Sequence, residues 1–344
     1  MLPRERVEAA MDLRPPDIVP LRILPSAGGL YEHGEPLLEL HRACGHDFGD
    51  LGGLSLPDPP PPEDFDSDGR YHAFRTDAWG TRWEYRIFGI WGHPVYWPLE
   101  DLSKLEDYTP PPLPPTEGPA VEQARDAIAV DKQRYFTLGG SGSLFEALHS
   151  VRRFEDVLMD IAEDRPEIHR IADMLVEHAM AGVEGSLARD VDGVCFGDDY
   201  GTQSAMIMSP ATWRRFFKPR YQTLFAPIKR AGKRIFFHIC GMVEPILEDL
   251  AQLGVDVIWP QLTAFEVPAL ARRCRELGLT VELHPDRGDL MQHGNPEQIR
   301  TYVLRLLETF GTASGGSWLY VEIDPGFPFD NARALFEVAM ELRG

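Results

Sequence analysis

Residues 233–260 read KRIFFHICGMVEPILEDLAQLGVDVIWP. The run RIFFHIC (234–240) is rich in aromatic and β-branched residues, as a buried strand requires. Val243 to Leu253 has helical spacing and stops at Gly254. VDVIWP (255–260) is then a second strand. A strand, a helix and a strand in so few residues make a right-handed crossover between parallel strands.

The same unit repeats on both sides. Downstream, Val267 to Leu277 is a helix stopped by Gly278, LTVELH (279–284) a strand, and Pro296 to Phe310 a helix. SWLYVEI (317–323) is a strand and Asn331 to Leu342 the last helix. Upstream, RYFTLG (134–139) and VDGVCFG (191–197) are strands. Helical stretches cover roughly 142–163 and 165–189. Ser209-Pro210 opens a helix that runs to about Gly232, serine capping and proline filling the first position. IVPLRI (18–23) and a weaker run at 46–51 complete eight strands, near 18, 46, 134, 191, 234, 255, 279 and 317. Eight strand–helix units predict one α/β domain, a single (β/α)8 TIM barrel over residues 1–344. A doubly wound open sheet is the competing arrangement. No glycine-rich phosphate loop follows an early strand, which weakens it.

Segment 52–117 lies outside this rhythm and reads as an insertion after the second strand. Prolines crowd at 57–62 and 110–115. Between them DAWGTRWEYRIFGIWGHPVYWPL (77–99) holds Trp79, Trp83, Trp91 and Trp97. It reads as a hairpin excursion whose aromatic side chains are either simply buried or wall a pocket.

The 344 residues carry 34 Lys+Arg against 54 Asp+Glu, a formal charge of −20. With no basic stripe, nucleic acid and anionic membrane surfaces are poor partners. No apolar run reaches the roughly 18–20 residues that span a bilayer, and the N-terminus lacks a signal core, so a cytoplasmic location is expected. Four widely spaced cysteines, Cys44, Cys195, Cys240 and Cys274, do not make a disulfide framework. Cys195 and Cys274 read as small buried hydrophobes.

A barrel puts its chemistry at the carboxyl ends of its strands. His238 and Cys240 end the fifth strand. As positions i and i+2 they face the same way, and a nitrogen with a thiolate sulfur suits zinc. The competing account is a buried cysteine beside a hydrogen-bonded histidine. The fourth strand ends in Asp198-Asp199-Tyr200. Adjacent carboxylates alternate in direction, so one faces the mouth and the other caps locally. Gln261, His284, Asp286, Glu322 and Asp324 end the later strands.

FGDDYGTQ (196–203), SPATWRRFFKPRYQ (209–222) and the opening stretch together resemble the uroporphyrinogen decarboxylase superfamily. That superfamily includes zinc-dependent corrinoid methyltransferases. The resemblance extends to RERVEAAMDLRPPDIVP (4–20), DAWGTRWEY and LEDYTPPPLP, covers nearly the whole chain, and implies the barrel that the alternation predicts. Decarboxylases carry Met-Arg-Gln-Ala-Gly-Arg after the first strand, and its arginines hold the substrate's acidic side chains. The matching stretch here is Leu24-Pro25-Ser26-Ala27-Gly28-Gly29, with Pro25 and Gly29 in place of arginine. Asp50 is the counterpart of the decarboxylases' essential aspartate.

The methyltransferase branch uses a His-x-Cys pair on the fifth strand, matched by His238 and Cys240, and a further cysteine near the last strand. No cysteine follows Cys274, so Glu322 or His284 is expected to complete the zinc site. The resemblance therefore implies methyl transfer between a corrinoid, carried on a partner protein, and a metal-activated small-molecule acceptor. Asp199 would orient or deprotonate the acceptor, and Gln261 and Tyr200 would be polar contacts. Decarboxylation by Asp50, Asp198 and Asp199 is the second expectation. Corrinoid or tetrapyrrole binding without turnover, against the tryptophan wall, is the third. A homodimer is the assembly left open.

Overall fold

Ten strands occur in the computed structural model, which describes residues 1–344. They are β1 (Leu21–Ile23), β2 (Ala73–Thr76), β3 (Arg82–Tyr85), β4 (His93–Tyr96), β5 (Leu138–Gly142), β6 (Gly193–Gly197), β7 (Arg234–Ile239), β8 (Val257–Pro260), β9 (Thr280–Leu283) and β10 (Ser317–Val321). Seven form one parallel sheet in the order β1-β10-β9-β8-β7-β6-β5. Every residue of β9 and β10 is buried, as expected for parallel strands covered on both faces.

The sheet is curled. Trp318 of β10 and Phe236 of β7 are three strands apart, about 14 Å in a flat sheet. Their ring centroids lie 6.0 Å apart, and Phe48 packs against both. Arg22 of β1 likewise reaches over β10 to Glu282 of β9 at 2.9 Å.

The expected second strand, near 46–51, is absent. Only Asp47 fills that position, donating its N–H to the Leu21 carbonyl at 2.9 Å and accepting from Phe136 N at 3.1 Å. Side chains replace the missing ladder. The Asp47 carboxylate accepts from Leu21 N at 2.8 Å and His46 Nδ1 from Ile23 N at 3.2 Å. These local acceptors occupy the donors a strand would use. Arg6 at 2.5 Å and Arg343 at 2.7 Å neutralise the fully buried carboxylate.

Three further expectations shift. β5 begins at Leu138 rather than Arg134, because Arg134 and Tyr135 still donate to Asp131, closing the helix Pro119–Asp131. The helix opened by Ser209 divides into Pro210–Phe216 and Lys218–Arg230, with Pro219 in the first turn of the second. The helix after β7 shortens to Leu247–Gln252, behind a 3-10 turn holding Pro245. Helices Val267–Leu277 and Pro296–Phe310 lie where the sequence puts them, each stopped by a left-handed glycine, Gly278 and Gly311.

No strand of the main sheet falls within 52–117. A separate antiparallel sheet, β2-β3-β4, stands in place of the expected hairpin. It is fastened to the helix Phe145–Val151: Thr81 Oγ1 donates to the Ser150 carbonyl at 2.8 Å and Trp97 Nε1 to the His149 carbonyl at 3.1 Å. It also touches the helix Ala27–His33. A Cβ on Gly89 would lie 2.2 Å from Gly28 N, so the two backbones meet with no side chain between them. No helix is long and apolar enough to cross a membrane.

Candidate metal centre at the carboxyl ends of the strands

The centre begins where β6 ends. Asp198 N donates to the His238 carbonyl at 3.1 Å and so extends the ladder to β7. The Asp198 side chain turns inward and is 1% exposed. It accepts from Leu144 N and Glu146 N, both at 2.8 Å, from Tyr200 Oη at 3.3 Å, and from Tyr221 Oη. It therefore caps the helix Phe145–Val151. Burial pushes its carboxyl up to about 6 against the pull of those donors.

Asp199 points the other way. Its Oδ1 accepts from Cys240 N at 2.9 Å and lies 3.5 Å from His238 Nε2. His238 Nδ1 lies 3.0 Å from the Trp259 carbonyl on β8. A carbonyl only accepts, so Nδ1 carries the proton and Nε2 presents its lone pair. Cys240 Sγ lies 3.3 Å from that Nε2. The ligating atoms of Asp199, His238 and Cys240 all lie within 4.8 Å of one another. This is a nitrogen, a sulfur and an oxygen, with the histidine oriented by a backbone acceptor as metal-ligating histidines are.

Without a cation, His238 and Cys240 are held in their uncharged forms. Burial lowers the pKa of His238, with Asp199 opposing. Burial, and then Asp199, push the Cys240 thiol up to about 12. A divalent ion would deprotonate the coordinated thiol and bind His238 as the neutral ring it already is. The donor set and its polarity fit zinc.

The two residues expected to complete the site lie outside the cluster. Glu322 is bound to Arg287 at 2.8 Å and Tyr320 Oη at 3.0 Å. His284 has Nδ1 2.9 Å from the Pro285 carbonyl and Nε2 3.2 Å from the Pro260 carbonyl, and burial holds its pKa near 4. Both nitrogens face backbone carbonyls, of which the neutral ring can donate to one, and neither belongs to the cluster. Asp199 stands in the third place of the cluster instead.

Three other expected residues also move. Asp50 is an exposed turn residue accepting from Gly52 N at 2.9 Å. Asp198 is saturated by its four donors. Tyr200 is fully buried, with Oη 2.9 Å from Tyr221 Oη. Gln261 does line the site and accepts from Gly241 N at 3.1 Å.

Two cavities meet at His238. One, of about 250 Å³, is bordered by His238, Cys240, Trp259, Gln261, His284 and Arg287. The other, of about 640 Å³, is bordered by Trp79, Trp83, Trp91, Glu146, Asp199 and His238. The tryptophan excursion thus forms a wall of the site. Arg287 and Glu146 carry no sequence motif. Only the position of Arg287, just past a strand end, could have singled it out.

A curled parallel sheet with polar clusters at its carboxyl ends places the chain among α/β proteins built like TIM barrels. It belongs to the uroporphyrinogen decarboxylase family, which matches residues 91–342. Uroporphyrinogen decarboxylase of Neisseria meningitidis serogroup A is 24% identical over 217 residues, 60% of this chain and 55% of that enzyme. The chain thus aligns with only about half the length of that relative. A methyltransferase from Methanosarcina mazei shares the fold along the full length of both chains, with a TM-score of 0.64 at 15% identity. A Cβ on Gly29 would lie 2.0 Å from the Ile323 carbonyl. Position 29 therefore has no room for a side chain.

Proposed function

We propose that this chain is a zinc-dependent methyltransferase of the family, moving a methyl group between a corrinoid and a thiol acceptor. The observation that carries this reading is the Asp199–His238–Cys240 cluster. His238 Nε2, Cys240 Sγ and an Asp199 oxygen would hold the metal. Bound there, zinc supplies a Lewis acid that keeps an acceptor thiol deprotonated near neutral pH. The Trp259 carbonyl fixes the His238 tautomer, and Gln261 steadies the turn after Cys240 through Gly241 N. The aromatic wall excludes water from one side. The methylated corrinoid would arrive on a partner protein. We read segment 46–48 as the second position of an eight-membered barrel, with 52–117 inserted after it.

Decarboxylation of a tetrapyrrole is the second reading, favoured by the Neisseria relative. Pro25 and Gly29 count against it, because neither can clamp a carboxylate as arginine does.

Elemental analysis of purified protein, alongside methyl transfer from methylcobalamin to a panel of thiols, tests the proposal. Stoichiometric zinc, lost in Cys240→Ala and His238→Ala together with transfer, is expected. Zinc unchanged by either substitution, or turnover of uroporphyrinogen by metal-free protein, would overturn it.

A further inference from the structure

The carboxylates around the mouth are not neutralised evenly. On the β9–β10 side, Glu282 is paired with Arg22 at 2.9 Å, Glu322 with Arg287 at 2.8 Å, and Asp324 with Arg287 at 2.5 Å. On the β5–β6 side the larger cavity is bordered by Asp77, Glu146, Asp198 and Asp199, and by no Lys or Arg. Glu146 has only His149, at 3.1 Å, and Asp199 only His238, at 3.5 Å. Asp77 is spent on Thr81 N at 2.9 Å and Trp83 Nε1 at 2.8 Å, neither of them charged. The two sides of the mouth therefore differ in how their carboxylates are compensated.

The same cavity is lined by Trp79, Trp83 and Trp91. Trp83 and Trp91 meet edge to face, with centroids 5.5 Å apart and planes at 73°, forming a corner of two near-perpendicular walls. Trp91 is 76% exposed, an unusual position for so large an apolar ring. Tryptophan rings beside Glu146 and Asp77, which no Lys or Arg neutralises, attract a large, weakly hydrated cation. An anionic head beside Glu146 would be repelled, and a neutral apolar one would gain nothing from the carboxylates.

We propose that this cavity is a subsite for a substituted ammonium group on the substrate. Trp79, Trp83 and Trp91 take its alkyl face and Glu146 and Asp77 its charge. Its reacting end reaches Asp199 and His238, which border the cavity and also belong to the metal cluster. The acceptor is then a small thiol with a methylated or protonated ammonium head. This assignment rests on the proposed metal-activated thiol chemistry only for the identity of the reacting end.

Choline and its uncharged isostere 3,3-dimethylbutan-1-ol separate the two contributions, with binding followed by tryptophan fluorescence and calorimetry on the zinc-loaded protein. Choline is expected to bind saturably and at least about tenfold more tightly than the isostere, and Trp91→Leu and Glu146→Gln each to weaken it about fivefold. Trp91→Leu alters an exposed ring, and Glu146→Gln keeps the shape of a half-exposed side chain, so folding should survive both. Equal binding of the two probes, no binding of choline, or choline binding unmoved by both substitutions would overturn the subsite. Any of those results with zinc and methyl transfer intact leaves the methyltransferase reading standing. Choline binding by a protein without zinc does the reverse.

Discussion

Asp199 and His238 end neighbouring strands, and the Asp199 Oδ1 lies 3.5 Å from His238 Nε2. The same oxygen accepts the backbone N–H of Cys240 at 2.9 Å. One carboxylate thus meets the imidazole while pinning the backbone that carries the thiol. Asp199→Asn keeps an acceptor for that N–H and removes the charge. Competition with a chromophoric chelator should show zinc affinity falling roughly 10- to 100-fold, with an unchanged melting temperature. Unaltered affinity would remove Asp199 from the ligand set.

Asp47 and Asp50 should behave oppositely. Asp47→Ala strips Arg6, Arg343 and Leu21 N of a shared buried partner. A loss of about 3 kcal/mol in urea unfolding, or failure to accumulate as soluble protein, is expected. Asp50→Ala opens an exposed turn and should stay within about 0.5 kcal/mol of the parent, with zinc content unchanged.

Gly29→Ala forces a methyl group against the Ile323 carbonyl. Relief requires the helix Ala27–His33 or the chain after β10 to shift, at a cost of about 1–3 kcal/mol. Calorimetry would detect this as a lowered melting temperature. An unaffected transition would mean the close approach is not maintained in solution.

His46 sets a pH limit. Its Nδ1 accepts from Ile23 N, which requires the neutral ring, and burial holds its pKa near 4 against an ordinary 6.5. The unfolded chain takes up a proton below about pH 6.5 and the native chain only near pH 4. Stability is therefore full above pH 6.5 and falls as the pH drops towards 4. Between pH 7 and 5 this residue accounts for about 2 kcal/mol. The difference between urea stabilities at the two pH values should change by about that amount in His46→Gln, which keeps an acceptor without titrating in that range, while His284 and Asp198 continue to titrate. A pH slope as steep as the parent's would exclude His46 as its source.

Legibility in the sequence followed the range of the interactions. Helix Val267–Leu277 was readable because Gly278 ends it locally, and Pro296–Phe310 because Asn295 and Gln298 cap each other. His238 and Cys240 were readable because strand alternation alone puts them on one side. The position next to β1 was not, because arginines from both ends of the chain, Arg6 and Arg343, let a carboxylate stand in for a strand. Asp198 and Asp199 could be told apart only by what surrounds them. The inward one was settled by the helix Phe145–Val151 and Tyr221, the outward one by the cysteine amide across the ladder. The failure of Glu322 as a ligand has the same character. Arg287, remote in sequence, takes it first.

The backbone contact between Gly89 and Gly28 has a bearing on how the site admits its ligand. Two main chains touching without side chains between them brace the aromatic panel against the helix Ala27–His33. With that brace kept, the width of the mouth at this rim would be set by the frame and adjusted by exposed side chains such as Trp91. Changes in ligand size should then be met by exchanging residues on the panel, with its hinge points left untouched.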